Sequence, residues 1–272
     1  MTLRRRLDAE LVRRGLAPDR TQAQGLVEAG CIRVAGAVAH RAARMVSPAE
    51  PVVVAGPPPR FAGRGGEKLA AALDRFAIGA RGRMALDAGA STGGFTDCLL
   101  QAGAAGVVAV DVGRGQLHER LRSDPRVRPM DRTNVRYLGP ADVAGAPFDL
   151  VVADLSFISL VTVAPALLRL SAGGGDLVVL VKPQFEAERA VVSRGRGVVR
   201  DPTVWAEVVL GVLGAFETRG AAVTGAMASP LRGADGNVEF LAHLRPHRPP
   251  GPEPLATRID LGALLAEAGS PW

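Results

Sequence analysis

Between residues 84 and 244, short apolar runs alternate with segments of helical periodicity, and this alternation constrains the fold more than any other feature of the chain. The apolar runs occupy 84–90, 107–112, 127–131, 148–154, 176–181, 221–228 and 238–244. Helical patterns fit before or between them at 68–76, 94–102, 115–121, 160–170 and 202–218. A strand that is apolar along its whole length is buried on both faces, as in a parallel sheet covered by helices on each side. The turn-rich stretch from Met227 to Val238 is too short for a crossover, so the last two strands are expected to pair antiparallel. The sequence therefore predicts an α/β domain over 64–246, with a Pro-rich tail over 247–272 that ends in one more helix at 261–268.

Ahead of this domain, residues 56–59 read Gly-Pro-Pro-Pro, which ends any strand and marks 56–63 as a linker. Residues 1–55 read as a separate α+β unit. Leu7, Leu11 and Val12 recur at helical spacing and Gly15 can close that helix. Asp19 can cap a second helix whose inner face carries Ala23, Leu26 and Val27. Ile32-Arg33-Val34 and Val52-Val53-Val54 read as strands joined by a turn at Ala35-Gly36. Arginines crowd this unit, and Arg4, Arg6, Arg14, Arg20 and Arg41, with Arg64 beyond the linker, are candidate phosphate contacts. The net charge of +6 and the pI near 10.5 favour an acidic partner, nucleic acid before membrane. No apolar run is long enough to span a bilayer. The basic start lacks the apolar stretch of a signal peptide, so a cytoplasmic chain with two ordinary thiols, Cys31 and Cys98, is expected.

The strongest local motif is Asp87-Ala88-Gly89-Ala90-Ser91-Thr92-Gly93-Gly94-Phe95-Thr96, placed after a strand and opening a helix. Glycines there let backbone approach a ligand at the carboxyl end of a strand. Their spacing fits G-x-G-x-x-G poorly, and the acid precedes them. An acid at that point suits a ligand carrying an ammonium and a sulfonium. Asp111, at the end of the second strand, suits ribose hydroxyls, and Asp131, at the end of the third, is expected near an adenine. S-adenosylmethionine is thus preferred to NAD, with Asp87, Gly89, Ala90, Ser91, Thr92, Gly93, Asp111, Asp131 and Asp154 as its candidate contacts. No metal site is expected.

Only two of the 33 basic residues are lysine, Lys68 and Lys182. Arginine keeps its charge under all ordinary conditions, whereas a lysine can surrender a proton where burial and a second cation disfavour the charge. Asp154 and Lys182 end the fourth and fifth strands, at the same edge as the glycine turn. Glu239 is expected within the last apolar strand, where a charge needs a partner. A Lys-Asp-Lys-Glu set of this kind can activate a ribose 2′-hydroxyl. Lys182 is the candidate base, Lys68 the neighbouring cation, and Asp154 and Glu239 hold the lysines.

The segment "RRRLDAELVRRGLAPDRTQAQGLVEAGCIRVAGAVAHRAARMV" resembles the RNA-binding domain named after the fourth small-subunit ribosomal protein. Ala35 stands where that pattern usually has Asn. The segments "RGGEKL", "LDAGASTGGFTDCLL", "VVAVDVGRGQL", "DLVVADLSFISL", "LVKPQFE" and "ASPLRGADGNVEF" make nearly the whole chain resemble the TlyA family. That resemblance implies a Rossmann-like, FtsJ-like methyltransferase domain. It implies transfer from S-adenosylmethionine to ribose 2′-hydroxyls of cytidine in 23S rRNA and, for the longer form that this chain is similar to, 16S rRNA. It places the family's catalytic tetrad on Lys68, Asp154, Lys182 and Glu239. It further implies ribosomal RNA in 50S and 30S subunits as partner, no DNA or membrane partner, a monomer, and an association with capreomycin sensitivity. The competing reading is a non-catalytic RNA-binding assembly factor, which the presence of all four residues disfavours. The arginine-rich stretch 187–197 reads as a mobile, RNA-contacting loop.

Overall fold

The computed structural model describes residues 4–56, 59–233 and 235–269. The linker prolines Pro57 and Pro58 and the last residues of the expected tail lie outside the described residues.

The small unit runs β1 (Arg5–Arg6), α1 (Leu7–Arg13), α2 (Arg20–Glu28), β2 (Ile32–Val34), β3 (Ala37–Val38), β4 (Met45–Val46) and β5 (Val52–Val54). Asp19 caps α2 by accepting a 2.7 Å hydrogen bond from the Gln22 amide, an interaction worth about 1 kcal/mol. Leu7, Leu11, Ala23, Leu26, Val27, Ile32 and Val34 close a core of their own. The turn at Ala35-Gly36 joins β2 to β3, not to Val52–Val54 as the sequence suggested. β5 returns later and pairs antiparallel on the other side of β2. The missing signal was β3, two residues too short to show a period.

The larger unit continues with α3 (Gly65–Arg75), β6 (Met84–Ala88), α4 (Gly94–Gln101), β7 (Gly106–Val110), α5 (Glu119–Arg122), β8 (Val127–Met130), β9 (Phe148–Ala153), α6 (Leu160–Leu170), β10 (Ser171–Val181), α7 (Pro183–Glu186), α8 (Arg189–Arg194), α9 (Pro202–Glu217), β11 (Ala222–Ala228), β12 (Phe240–Arg245), α10 (Leu255–Arg258) and α11 (Leu261–Gly269). A seven-stranded sheet has the order β11-β12-β10-β9-β6-β7-β8. β12 lies antiparallel between β10 and β11, and the other neighbours pair parallel. Successive strand residues enter opposite cores. Ala85, Val107, Leu150 and Val178 pack on the side of α3 and α4, while Leu86, Val108, Val151 and Val179 pack on the side of α6 and α9. This two-sided burial is why the runs were apolar without alternation.

Three expectations change. The helix expected at 115–121 shrinks to α5, because the preceding loop is bound to strand ends through Gly113 and Gly115 amides. β10 starts at Ser171, ahead of the apolar run, with a register irregularity before Asp176. The arginine-rich stretch expected as a loop contains α8. Among the described residues no helix is long and apolar enough to cross a membrane.

Chain order along the sheet reverses between β6 and β9, which opens a crevice at the carboxyl ends of the parallel strands. Register decides what meets there. Ala88 pairs with Val110 and Ala153, Val179 with Ala153, and Val181 with Phe240. The residues one step beyond these ends, Gly89, Asp111, Asp154 and Lys182, therefore share one edge. Because β12 runs the other way, the residue before it, Glu239, reaches that same edge. Glu239 thus precedes the strand and is not inside it as expected.

Candidate active site

Two cavities meet at this edge. The first, ≈ 540 Å³, lies over the glycine turn and is lined by Gly89, Ser91, Asp111, Thr133, Asn134 and Asp154, with apolar walls from Val112 and Ile158. Gly89 has φ +91°, and a Cβ there would stand 2.2 Å from the carbonyl oxygen of Asp154. Only glycine lets these two strand ends come so close. Asp111 orders the turn by accepting hydrogen bonds from the amides of Ser91 at 2.8 Å and Gly113 at 2.7 Å. Ala90 and Thr92 face the second cavity, and Gly93 is the left-handed residue that starts α4.

Two of the acids expected at the ligand do not line this cavity. Asp87 is fully buried beneath the turn. One of its oxygens accepts from the Thr96 hydroxyl at 2.6 Å, and the other, Oδ1, has no hydrogen-bond partner. Burial pushes its carboxyl up to about 7, against the Thr96 bond and with help from the nearby charges of Asp154 and Asp111. Asp131 points away. Burial opposes its charge, but hydrogen bonds from Arg122, at 2.8 and 3.0 Å, hold it below the usual carboxylate range. Thr133 and Asn134, two and three residues later, line the cavity in its place. The sequence reading missed them because polar loop residues carry no periodic signal.

The second cavity, ≈ 270 Å³, is lined by Arg64, Lys68, Phe95, Asp154, Lys182 and Glu239, and it shares Gly89, Ser91 and Asp154 with the first. Lys68 Nζ lies 2.5 Å from Glu239 Oε2, and Lys182 Nζ lies 2.5 Å from Asp154 Oδ1. The second contact is an ion pair; the aligned hydrogen bond of Lys182 goes to Ser156 Oγ at 3.0 Å. The lysines are only 8% and 9% exposed. All four expected residues are therefore brought together. The glycines of "RGGEKL" explain how Lys68 gets there. A Cβ on Gly66 would stand 2.3 Å from Phe61, and one on Gly94 would stand 2.9 Å from both Gly63 O and Gly66 N. Close approach of α3 and α4 depends on these glycines. Beside the lysines, Phe157 is 91% exposed at φ +63° and packs on Phe185, whose ring centroid is 5.9 Å from Lys182 Nζ.

The arginines of the small unit divide differently from expectation. Asp8 and Glu10 on α1 are fully buried. Arg6 and Arg20 pair with Asp8 at 2.8 and 3.1 Å, and Arg13 and Arg14 pair with Glu10 at 2.6 and 2.8 Å. Hydrogen bonds from Arg13, joined by those from Arg14, outweigh burial and hold Glu10 at about 2. Arg14 also donates to the carbonyls of Pro48 and Glu50 at 3.0 Å, which leaves it the least available of the candidate phosphate contacts. Arg4 approaches Glu50 at 3.6 Å. Among the described residues, Arg41 and Arg64 make no ion pair with a carboxylate.

Residues 61–246 match the FtsJ-like methyltransferase family, and residues 5–52 match the S4 domain. The 16S/23S rRNA (cytidine-2′-O)-methyltransferase TlyA of Mycobacterium tuberculosis is 51% identical over 246 residues, covering 90% of this chain and 91% of that protein. The putative rRNA methyltransferase YqxC of Bacillus subtilis is 44% identical, covering 88% of this chain and 85% of that protein. The solved structure of a putative hemolysin from Streptococcus thermophilus superposes with a TM-score of 0.77 at 37% identity, covering 98% of this chain and 96% of that one.

Proposed function

The chain belongs to the FtsJ-like methyltransferase family and, within it, to the TlyA group, and from that premise we propose how its site works. It is an S-adenosylmethionine-dependent rRNA methyltransferase that acts on cytidine 2′-hydroxyls. The proposed substrates are 23S and 16S rRNA within 50S and 30S subunits, approached by a cytoplasmic monomer. The observation that supports the mechanism is the meeting of Asp154, Lys182 and Glu239, aligned by strand register, with Lys68 from α3 around a cavity that shares lining with the one over the glycine turn.

The larger cavity falls within the roughly 300–1,000 Å³ usual for small-ligand sites. When bound there, S-adenosylmethionine supplies a methyl group activated by a sulfonium. Asp111 would accept from its ribose hydroxyls, Asn134 and Thr133 would bond the base, and Val112 and Ile158 would cover its faces. The carboxylate of Asp154, where the cavities join, favours a cation beside it. The acceptor ribose occupies the smaller cavity. Lys68, fixed by Glu239, orients the acceptor oxygen. The acceptor oxygen would take the methyl group as the sulfonium–carbon bond breaks with its electron pair left on sulfur, and Lys182 Nζ, as the neutral amine, would accept the hydroxyl proton and pass it to solvent. An amine can make this exchange, and a guanidinium cannot. Phe157 and Phe185 offer aromatic faces on which an unstacked base can rest. Arg41 and Arg64 are the proposed phosphate contacts with least internal competition, with Arg4, Arg6 and Arg20 contributing their outward edges.

The test is transfer of labelled methyl from S-adenosylmethionine to separate 30S and 50S subunits, with the modified position mapped. Ribose methylation that Lys182→Ala abolishes is the expected result. Modification of a base atom, or full turnover in the variant, overturns the mechanism.

A further inference from the structure

Lys182 Nζ donates a hydrogen bond to Ser156 Oγ at 3.0 Å and lies 2.5 Å from Asp154 Oδ1 in an ion pair. A neutral primary amine has two hydrogens and one lone pair. A hydrogen donated to Ser156 fixes one of the three remaining positions on Nζ, and the Asp154 carboxylate beside it favours a hydrogen over a lone pair on its own side, which leaves the lone pair one direction. We infer that Ser156 is a positioning residue for the methyl transfer: with Asp154 it aims the Lys182 lone pair at the attacking hydroxyl. The inference rests on the reading of Lys182 as the base.

The surroundings fit this role. Asp154 and Ser156 lie in the loop that follows β9, and both side chains reach Lys182, which follows the neighbouring β10. Ser156 is exposed and lines the larger cavity, so its hydroxyl bridges the base to the compartment over the glycine turn. Asp154 alone cannot fix the amine. Its contact with Nζ is an ion pair lacking hydrogen-bond alignment, and one acceptor leaves the nitrogen free to turn. The aligned bond is the one to Ser156. A reacting group misplaced by about 1 Å loses on the order of 100-fold in rate, so an amine free to turn is costly even where every charge is kept.

The experiment compares Ser156→Ala, Ser156→Thr and Lys182→Ala on unmodified subunits. Donor affinity by calorimetry serves as the control for folding and for the larger cavity. Ser156→Ala is expected to lower kcat by about 10- to 100-fold, with donor Kd and subunit KM within about threefold of the parent. Ser156→Thr retains the hydroxyl at an exposed position and is expected to recover most of that loss. Full turnover in Ser156→Ala overturns the inference, as does a loss that appears in donor Kd instead of kcat, or a Thr variant as slow as the Ala variant. If Ser156→Ala is fully active while Lys182→Ala is dead, the positioning role fails and the base survives. If Lys182→Ala is active, the base reading itself fails.

Discussion

The carboxyl of Asp87 is the most consequential buried group that touches neither lysine, and its protonation should be visible in both stability and ligand binding. Its ordinary value is 3.8, and burial raises it to about 7. Between these two values the folded chain holds a proton that the unfolded chain has lost, so stability must fall as pH rises. At about 1.36 kcal/mol per unit, the change across this window is on the order of 4 kcal/mol, complete once pH exceeds the folded value. Asp87→Asn keeps the shape and can still accept from Thr96, but removes the titration. Unfolding by denaturant from pH 4 to 8.5 should therefore show the parent losing stability relative to the variant, with the Asn protein the more stable near pH 8. A bound cation reverses the sign. The ammonium and sulfonium of S-adenosylmethionine above the turn favour the carboxylate, so binding at pH 6.5 should release a proton. Calorimetry in buffers of different ionisation enthalpy counts that proton, and the Asn variant should release none. Parallel stability curves for the two proteins, or equal proton release, would refute the reasoning.

Gly89→Ala places a methyl 2.2 Å from the Asp154 carbonyl at a left-handed backbone, a strain of about 1–3 kcal/mol that is relieved only by parting the two strand ends. Donor affinity measured by calorimetry should fall at least about tenfold, and unchanged affinity would show that the turn does not shape the ligand site. Glu10→Gln leaves the partly exposed Arg13 and Arg14 without a counter-charge beside a buried carboxylate position, a loss of about 1 kcal/mol. Limited proteolysis within residues 4–55 should then quicken and subunit binding weaken, while donor binding by the larger unit is kept. In the parent, the stability Glu10 contributes is present above its ordinary 4.5 and lost as pH falls toward about 2. Lys182→Arg keeps the charge and should still cost at least about 100-fold in kcat, close to the Ala variant; normal turnover in a folded Arg variant would remove the base from the mechanism.

The parts of the fold that were legible are those whose physics is periodic. Apolar runs such as 148–153 have to be buried on both faces, and their alternation with helical segments dictates the sheet. Asp19 before a helix and Gly15 and Gly30 after helices mark ends by their own chemistry. β3 and α8 were not legible because two strand residues, or six helical ones rich in arginine, carry no usable period. In the site, Asp154 and Lys182 stood out as charges ending apolar strands, Glu239 as a charge read within one, and Lys68 as one of only two lysines in the chain. Thr133, Asn134 and Ser156 are ordinary loop residues by type, and only strand register reveals where they point. The arginines of the small unit show the converse. Their number suggested a phosphate surface, yet Asp8 and Glu10 sit one turn away on the same helix and bind several of them. Counting charges along a sequence cannot separate a cation offered to RNA from one already engaged by a buried acid.

That distinction also explains why lysine survives where it does in an arginine-rich chain. Lys68 and Lys182 contribute two positive charges to the site, and Asp154 and Glu239 contribute two negative ones, so the site is close to neutral in a chain of net charge +6. A strongly cationic centre would hold the RNA by its phosphates and compete with entry of the ribose, whose reacting hydroxyl is uncharged. Neutralising the centre leaves long-range attraction to arginines further out, such as Arg41, which makes no ion pair with a carboxylate among the described residues. Guanidinium suits that peripheral work, since it binds phosphate in a fork and never discharges. At the centre the demand is opposite: a compact cation that fits beside one carboxylate and can exchange a proton with an oxygen in contact with it. Lys182 meets the central demand just past a strand end and Lys68 from α3, while of the candidate phosphate contacts only Arg64 lines their cavity and the others lie outside it.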